Sequence, residues 1–188
     1  FALTALVCFE TNAQQINLSL TPSNYNGHHI SCFGNSDGSI DLTITGGIPP
    51  YQILWSTADT IEDLESLPAG YYNVRVTDSN ILPQMAQAEI TLTEPRQIKI
   101  VGTIHTYPNG FQISVNGACN GIVDVTAEYG VAPYQWLWND NSTSPNRTSL
   151  CAGWYEIKVL DANGCKSVEK GYLKEPSRGD WLLEGNEA

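Results

Sequence analysis

Laid over itself with a displacement of 83 positions (Gly38 onto Gly121), the chain repeats. Gly38-Ser-Ile-Asp41-Leu-Thr43 falls on Gly121-Ile-Val-Asp124-Val-Thr126. Gly47-Ile-Pro-Pro50-Tyr51-Gln52-Ile-Leu54-Trp55 falls on Gly130-Val-Ala-Pro133-Tyr134-Gln135-Trp-Leu137-Trp138. Leu67-Pro-Ala69-Gly70-Tyr-Tyr72 answers Leu150-Cys-Ala152-Gly153-Trp-Tyr155, and Asp78-Ser-Asn80 answers Asp161-Ala-Asn163. No gap is needed from Ile30 to Asn80, and Glu94-Pro95 then meets Glu175-Pro176 at a displacement of 81. A period of about 80 residues exceeds that of a solenoid turn or propeller blade and suits whole small domains in tandem.

Each copy reads as strands. Ile40, Leu42 and Ile44 alternate with Ser39, Asp41, Thr43 and Thr45, the period of two that buries one face of a strand. Val123, Val125 and Ala127 repeat this against Asp124, Thr126 and Glu128. Beyond the turn at Gly46-Gly47-Ile48-Pro49-Pro50, residues Tyr51, Ile53 and Trp55 point one way, as do Tyr134, Trp136 and Trp138. Tyr72, Val74 and Val76 face a core while Asn73, Arg75 and Thr77 face water; Tyr155, Ile157 and Val159 do so against Glu156 and Lys158. Flanking strands are expected at 16–20, 88–92, 97–104, 111–115 and 168–173, and the acidic run Asp59, Glu62, Asp63, Glu65 as a solvated loop. No stretch carries an amphipathic helical stripe of useful length. The expectation is an all-β fold of two tandem immunoglobulin-like antiparallel β-sandwich domains. A Trp in a middle strand of one sheet, and a Tyr opening a later strand after Ala-Gly, resemble the core Trp and tyrosine corner of that fold. Trp55, Trp138, Tyr72 and Tyr155 are therefore assigned to the cores. Trp154, in outward register where the first copy has Tyr71, and Trp136 are the candidate ligand-contact aromatics, together with Tyr71.

Charged residues make up only 15% of the chain, against roughly 25% in ordinary soluble proteins, and turn-forming residues take their place. A net charge of −11 offers no basic stripe for a phosphate backbone, so no nucleic-acid partner is expected. Ala2-Leu-Thr-Ala-Leu-Val7 reads as the end of a secretory h-region, with small residues at Thr11-Asn12-Ala13 before Gln14. This run is too short to cross a bilayer, so no transmembrane segment is expected. Cys8 follows bulky Val7, which favours secretory cleavage over lipidation.

Cys119 answers Ser36 and Cys151 answers Pro68, so both cysteines are peculiar to the second copy. They are expected to form a disulfide contributing about 3–4 kcal/mol by chain entropy. Cys32 and Cys165 are left open, either as buried free thiols or as a link between domains. No spacing matches a metal knuckle, an HExxH helix or a GxSxG elbow. His28, His29 and His105 lack acidic or cysteine partners at ligand spacing, and the 59–65 acidic run lacks an alternating calcium loop. Neither a catalytic residue nor a metal or cofactor is expected. Asp59-Thr60-Ile61 is similar to an O-glycosylation acceptor triplet, and Arg178-Gly-Asp180 reads as a chance match to an integrin motif.

The combined run of Cys32-Phe-Gly-Asn-Ser-Asp-Gly-Ser-Ile40, Gly46-Gly-Ile-Pro-Pro-Tyr-Gln-Ile-Leu-Trp55, Leu67-Pro-Ala-Gly-Tyr-Tyr-Asn-Val-Arg-Val-Thr-Asp78 and Thr91-Leu-Thr-Glu-Pro95 resembles the SprB repeat of Bacteroidetes surface proteins, gliding-motility adhesins among them. The second copy resembles its cysteine-bearing form, although Tyr129 stands where a turn glycine is expected. The likeness covers roughly residues 26–176. With the leader remnant read above placed over 1–13, it implies a first repeat over 14–95, a second over 96–176, and the start of a following segment over 177–188. It further implies a noncatalytic adhesion, interaction or stalk module on the extracellular or outer cell surface. Its partners would be an unknown glycan or protein ligand, neighbouring domains, and type IX secretion machinery. The alternative is a carbohydrate-binding module of a secreted polysaccharide-processing system, suggested by the three candidate aromatics.

Overall fold

The computed structural model describes residues 15–178. The leader residues 1–13, Cys8, and the tail from Gly179 onward, including most of the Arg178-Gly-Asp180 triplet, lie outside them. The chain divides into two compact units. One is built from residues up to Ile30 and from Gly34 to Glu94; the other from Ser31–Phe33 and from Pro95 on. Each is an antiparallel, immunoglobulin-like β-sandwich.

In the first unit the strands are β1 (Asn17–Pro22), β2 (Gly38–Thr45), β3 (Gln52–Trp55), β4 (Leu64–Leu67), β5 (Gly70–Thr77) and β6 (Met85–Leu92). The second has β7 (Lys99–Ile104), β8 (Gly121–Glu128), β9 (Gln135–Trp138), β10 (Arg147–Leu150), β11 (Gly153–Leu160) and β12 (Lys166–Leu173). Three-stranded sheets β1-β2-β4 and β3-β5-β6 make the first sandwich, and β10-β8-β7 and β12-β11-β9 make the second. Alternation along β2 and β5 sends Ile40, Leu42, Tyr72, Val74 and Val76 into one core, where Trp55, Leu64, Leu67 and Leu92 meet them. Val123, Val125, Trp138, Leu150, Ile157, Val159 and Leu173 form the other. Each fully buried aliphatic side chain contributes about 1.5–3 kcal/mol, which is what holds sheets this small together.

Three expectations are corrected. Trp55 and Trp138 are buried, but on β3 and β9, which are edge strands; the middle strands are β5 and β11. Residues 111–115 form no strand. They bend so that Gln112 and Ile113 both donate to the Lys174 carbonyl at 3.1 Å, and Ile113 is driven fully into the core. Ile30 is the same plug in the first unit, with His29 and Ile30 donating to the Thr93 carbonyl. The acidic run, finally, is exposed as expected, with Asp59, Glu62 and Asp63 in the loop, but Glu65 is carried into a strand. Asp63 accepts the Leu42 N–H at 3.0 Å and the chain enters β4 at Leu64.

The plugs explain why β2 and β8 begin with glycine. A Cβ on Gly38 would lie 2.5 Å from Ile30 Cδ1 and 2.9 Å from the Leu67 carbonyl oxygen. On Gly121 it would lie 2.9 Å from both Ile113 Cδ1 and Leu173 Cδ1. No side chain fits there.

Candidate functional site

Among the described residues two carboxylates are buried, one per unit, and their surroundings fix what they can do. Asp78 accepts backbone N–H groups from Gln84 (2.8 Å), Ile48 (3.1 Å) and Asn80 (3.4 Å). Asp161 accepts those of Cys165, Asn163 and Val131, each at 2.9 Å. Burial alone would raise the Asp78 carboxyl, but the three amides outweigh it and hold the group below its ordinary range. The Asp78 carboxylate therefore stays ionised, with its lone pairs spent on pinning two turns together. It is neither a proton donor nor a free base.

The aromatic hydroxyls and indoles are engaged in the same way. Trp55 Nε1 donates to the Ile61 carbonyl and Trp138 Nε1 to that of Ser144. Tyr72 donates to the Pro68 carbonyl at 2.9 Å and Tyr155 to that of Cys151 at 3.0 Å, the four-residue reach of a tyrosine corner. Tyr51 and Tyr134 close the turns before β3 and β9 by donating to Gly46 and Tyr129. Cys119 is disulfide-bonded to Cys151, and Cys32 to Cys165. The bond at Cys32 and Cys165 resolves the alternatives left open for them, and it ties the Ser31–Phe33 segment into the second unit.

Among the described residues no group of three or more His, Cys, Asp or Glu stands together to hold a metal ion. His29 Nδ1 accepts the Thr93 N–H, and His105 packs edge-on to Tyr107 at 4.9 Å. Asp59 accepts the Thr57 hydroxyl. Asp140 accepts the Ser142 hydroxyl (2.7 Å), the Arg147 guanidinium (2.6 Å) and the Ser142 N–H (3.1 Å), which together hold its carboxyl at about 2. The Arg147 guanidinium in turn lies 5.3 Å from the Trp138 ring centroid.

The outer face of β11 and β12, by contrast, presents unspent aromatic surface. Trp154, in outward register beside inward Tyr155, is 70% exposed. Directly across the strand pair stands Tyr172, 45% exposed, with ring centroids 5.3 Å apart at 62°. An edge-to-face pair of this kind contributes about 0.5–1.5 kcal/mol and presents a broad aromatic surface. The next rung is the Glu156–Lys170 ion pair at 2.8 Å, beside the platform. Trp154 and Tyr172 thus form an exposed apolar pad with charge at its border, suited to stacking on a flat apolar partner face.

The other two candidate aromatics are placed differently. Trp136 is half-buried on the inward side of β9, packed on the second core with Tyr134 at 6.5 Å. It therefore does not join Trp154, which lies on the opposite face of the sheet. Tyr71, on the first unit, is exposed but donates to Glu89 at 2.5 Å, and the Tyr71–Thr91 pair leaves no second ring beside it. The hydrogen bond to Glu89, some burial and the nearby negative charge raise its hydroxyl above the ordinary value. Tyr172 was absent from the sequence-derived set. Its signal was the pairing register, since a ring opposite Trp154 follows once the hairpin turn is fixed.

Among the described residues no helix is long and apolar enough to cross a membrane. No curated protein matches the chain. Among solved structures it is similar to the C-terminal 282-residue fragment of intimin in complex with the intimin-binding domain of the translocated intimin receptor. The identity is 16% over 85% of this chain, with a TM-score of 0.40, and the chain spans 64% of that fragment. It is also similar to the amphioxus IgVJ-C2 molecule, at 11% identity over 85% of this chain and 96% of the other, with a TM-score of 0.32. The family comparison is more specific: residues 29–60, which run from the Ile30 plug through β2 and β3, match the model of the SprB repeat.

Proposed function

We propose that the chain is a noncatalytic adhesion, interaction or stalk module of a larger bacterial cell-surface adhesin or fibre-like protein, working on the outer face of the cell. The observation that carries this reading is the SprB match within a pair of sandwiches whose buried carboxylates are consumed by their own turns. Residues 14–95 and 96–176 are taken as the two repeats, 1–13 as a leader remnant and 177–188 as the start of a further segment. Two disulfides in one small chain suit an oxidising compartment outside the cytoplasm. A surface ligand, neighbouring domains and type IX export machinery are the partners this reading requires. Antibodies against the chain are expected to label intact producing cells. Labelling only after permeabilisation would overturn the assignment.

One observation favours a second reading, a carbohydrate-binding module: the exposed Trp154–Tyr172 pair. A glycan array probed with the wild type and with Trp154→Ala separates the two. Selective glycan binding lost in the variant supports sugar recognition, and a blank array supports the adhesive or spacer role.

A further inference from the structure

The seam between the two sheets is closed in the first unit and open in the second. In the first, β1 and β6 run side by side, and Leu20 and Ile90 pack against the core from these two edge strands. Leu20 pairs with Leu42 and Ile90 with Tyr72. The corresponding pairs in the second unit are Gly102 with Val125 and Gly171 with Tyr155. Both seam-filling side chains are thus replaced by hydrogen, and β7 and β12 approach along a shorter stretch than β1 and β6 do.

The result is a cleft of about 200 Å³, floored by Ile100, Val125, Trp138, Ile157 and Leu173, with Gly102 and Gly171 on its walls. Tyr155 lines it and is only half-buried, whereas Tyr72 is 6% exposed under Ile90. The backbone does not require glycine at either place. A Cβ on Gly171 would meet nothing within 4 Å, and one on Gly102 would make ordinary contact with Val125 Cγ1 at 3.5 Å.

The size and borders of the cleft indicate its occupant. An apolar cavity of about 150 Å³ accepts a benzene ring, while sites for whole drug-sized ligands begin at about 300 Å³. One large side chain fits; an extended small molecule does not. The mouth lies between β7 and β12, each the terminal strand of its sheet, so a partner's backbone has an unpaired strand edge to join. Glu169 stands on the rim, two residues before Gly171, where the first unit has Ala88. Its cationic neighbour Lys170 is paired with Glu156, which leaves Glu169 to attract a positive charge.

We propose that this cleft accepts an extended segment of a partner protein, which adds as a strand to the free edge of β7 and seats one bulky aliphatic side chain where Leu20 and Ile90 sit in the first unit, with a lysine or arginine two residues away facing Glu169. The assignment holds whether the whole protein adheres or spaces, because it concerns only the second sandwich.

The test is an NMR titration of the ¹⁵N-labelled chain with a short blocked peptide that alternates threonine with a central leucine flanked by lysines. Saturable shifts are expected at the amides of Gly102, Gly171 and their neighbours on β7. The double substitution Gly102→Leu with Gly171→Ile, which rebuilds the first unit's seam, is expected to weaken binding at least about tenfold while the melting temperature holds or rises. Glycine in place of the peptide's leucine, or N-methylation of its alternate amides, is expected to weaken binding as much. These peptide variants decide the matter even if the double variant fails to fold. Shifts confined to other strands, equal binding of the glycine peptide, or no saturation at about millimolar peptide would overturn the proposal. So would self-association of the chain that the double substitution abolishes, since a second copy would then own the cleft.

Discussion

The two repeats are held by the same bonds and covered by different side chains. Gly34 and Gly117 donate their N–H groups to Glu94 and Glu175 at 2.6 and 2.7 Å. Tyr25 and Tyr107 reach the carbonyls of Asp37 and Asn120. Asp63 and Asn146 cap Leu42 and Val125. Away from these bonds the repeats part. The seam residues Leu20 and Ile90 become Gly102 and Gly171, Tyr71 opposite Thr91 becomes Trp154 opposite Tyr172, and Ser36 and Pro68 become bonded Cys119 and Cys151. Even the turns after β3 and β9 preserve a bond while exchanging its ends. Thr57 donates to Asp59 in one, and Ser142 to Asp140 in the other. Turn and corner hydrogen bonds therefore specify the sandwich, which leaves the seam and the outer faces free to differentiate.

Core truncation gives the largest expected effect on this comparison. Trp55→Ala is expected to cost about 3–5 kcal/mol in denaturant titration. Trp138→Ala should cost about 1 kcal/mol less, because Trp138 already lines an open cleft and the space it leaves is easier to hydrate. Equal losses would mean that the cleft is closed in solution. Replacing both Cys119 and Cys151 by Ser is expected to cost about 3 kcal/mol. Because the framework is duplicated, Ser36→Cys with Pro68→Cys is expected to form the matching bridge in the first repeat. Non-reducing peptide mapping would detect it, and free thiols at both positions would show that the backbones differ there.

A smaller effect is expected at the turns before β3 and β9. Gly46 holds φ 76° and Tyr129 holds φ 65°, a left-handed backbone that side chains adopt at a cost of about 1–2 kcal/mol. Gly46→Ala should therefore destabilise by about 1 kcal/mol. Tyr129→Gly should gain less than that cost, since it also removes the contact of the Arg96 guanidinium, 5.1 Å from the Tyr129 ring centroid. Calorimetric midpoints would rank the two. The smallest effect is acid dependence at Asp140. Its carboxyl is held at about 2, below the ordinary value of 3.8, so the folded state prefers the ionised form. That preference adds stability above the ordinary carboxylate range and is lost as pH falls from about 4 through about 2. Asp140→Asn should flatten that part of a stability-versus-pH profile.

Much of this architecture is legible in the residues themselves. Alternation in Ile40-Asp-Leu42 and Tyr72-Asn-Val74 names the inward face without any knowledge of partners, since successive side chains on a strand must point opposite ways. β4 and β10 escape that logic. Ser66 and Ser149 take φ of 58° and 59°, which breaks the alternation, so Leu64 and Leu67, three apart, both face inward. Residues 111–115 mislead for the opposite reason. Only Ile113 is buried there, as a plug, while Phe111 and Val115 lie nearer the surface.

The duplication, the covalent order of the turns and the facing of each long strand were thus determined by the chain alone, because they depend on local backbone geometry and on a displacement that can be read along one dimension. Tertiary structure decided which distant groups meet: Cys32 with Cys165, Trp154 with Tyr172, and Gly102 with Gly171 across an open seam. Those meetings depend on the register that each turn imposes and on sheet-to-sheet approach, which the facing of single strands does not supply.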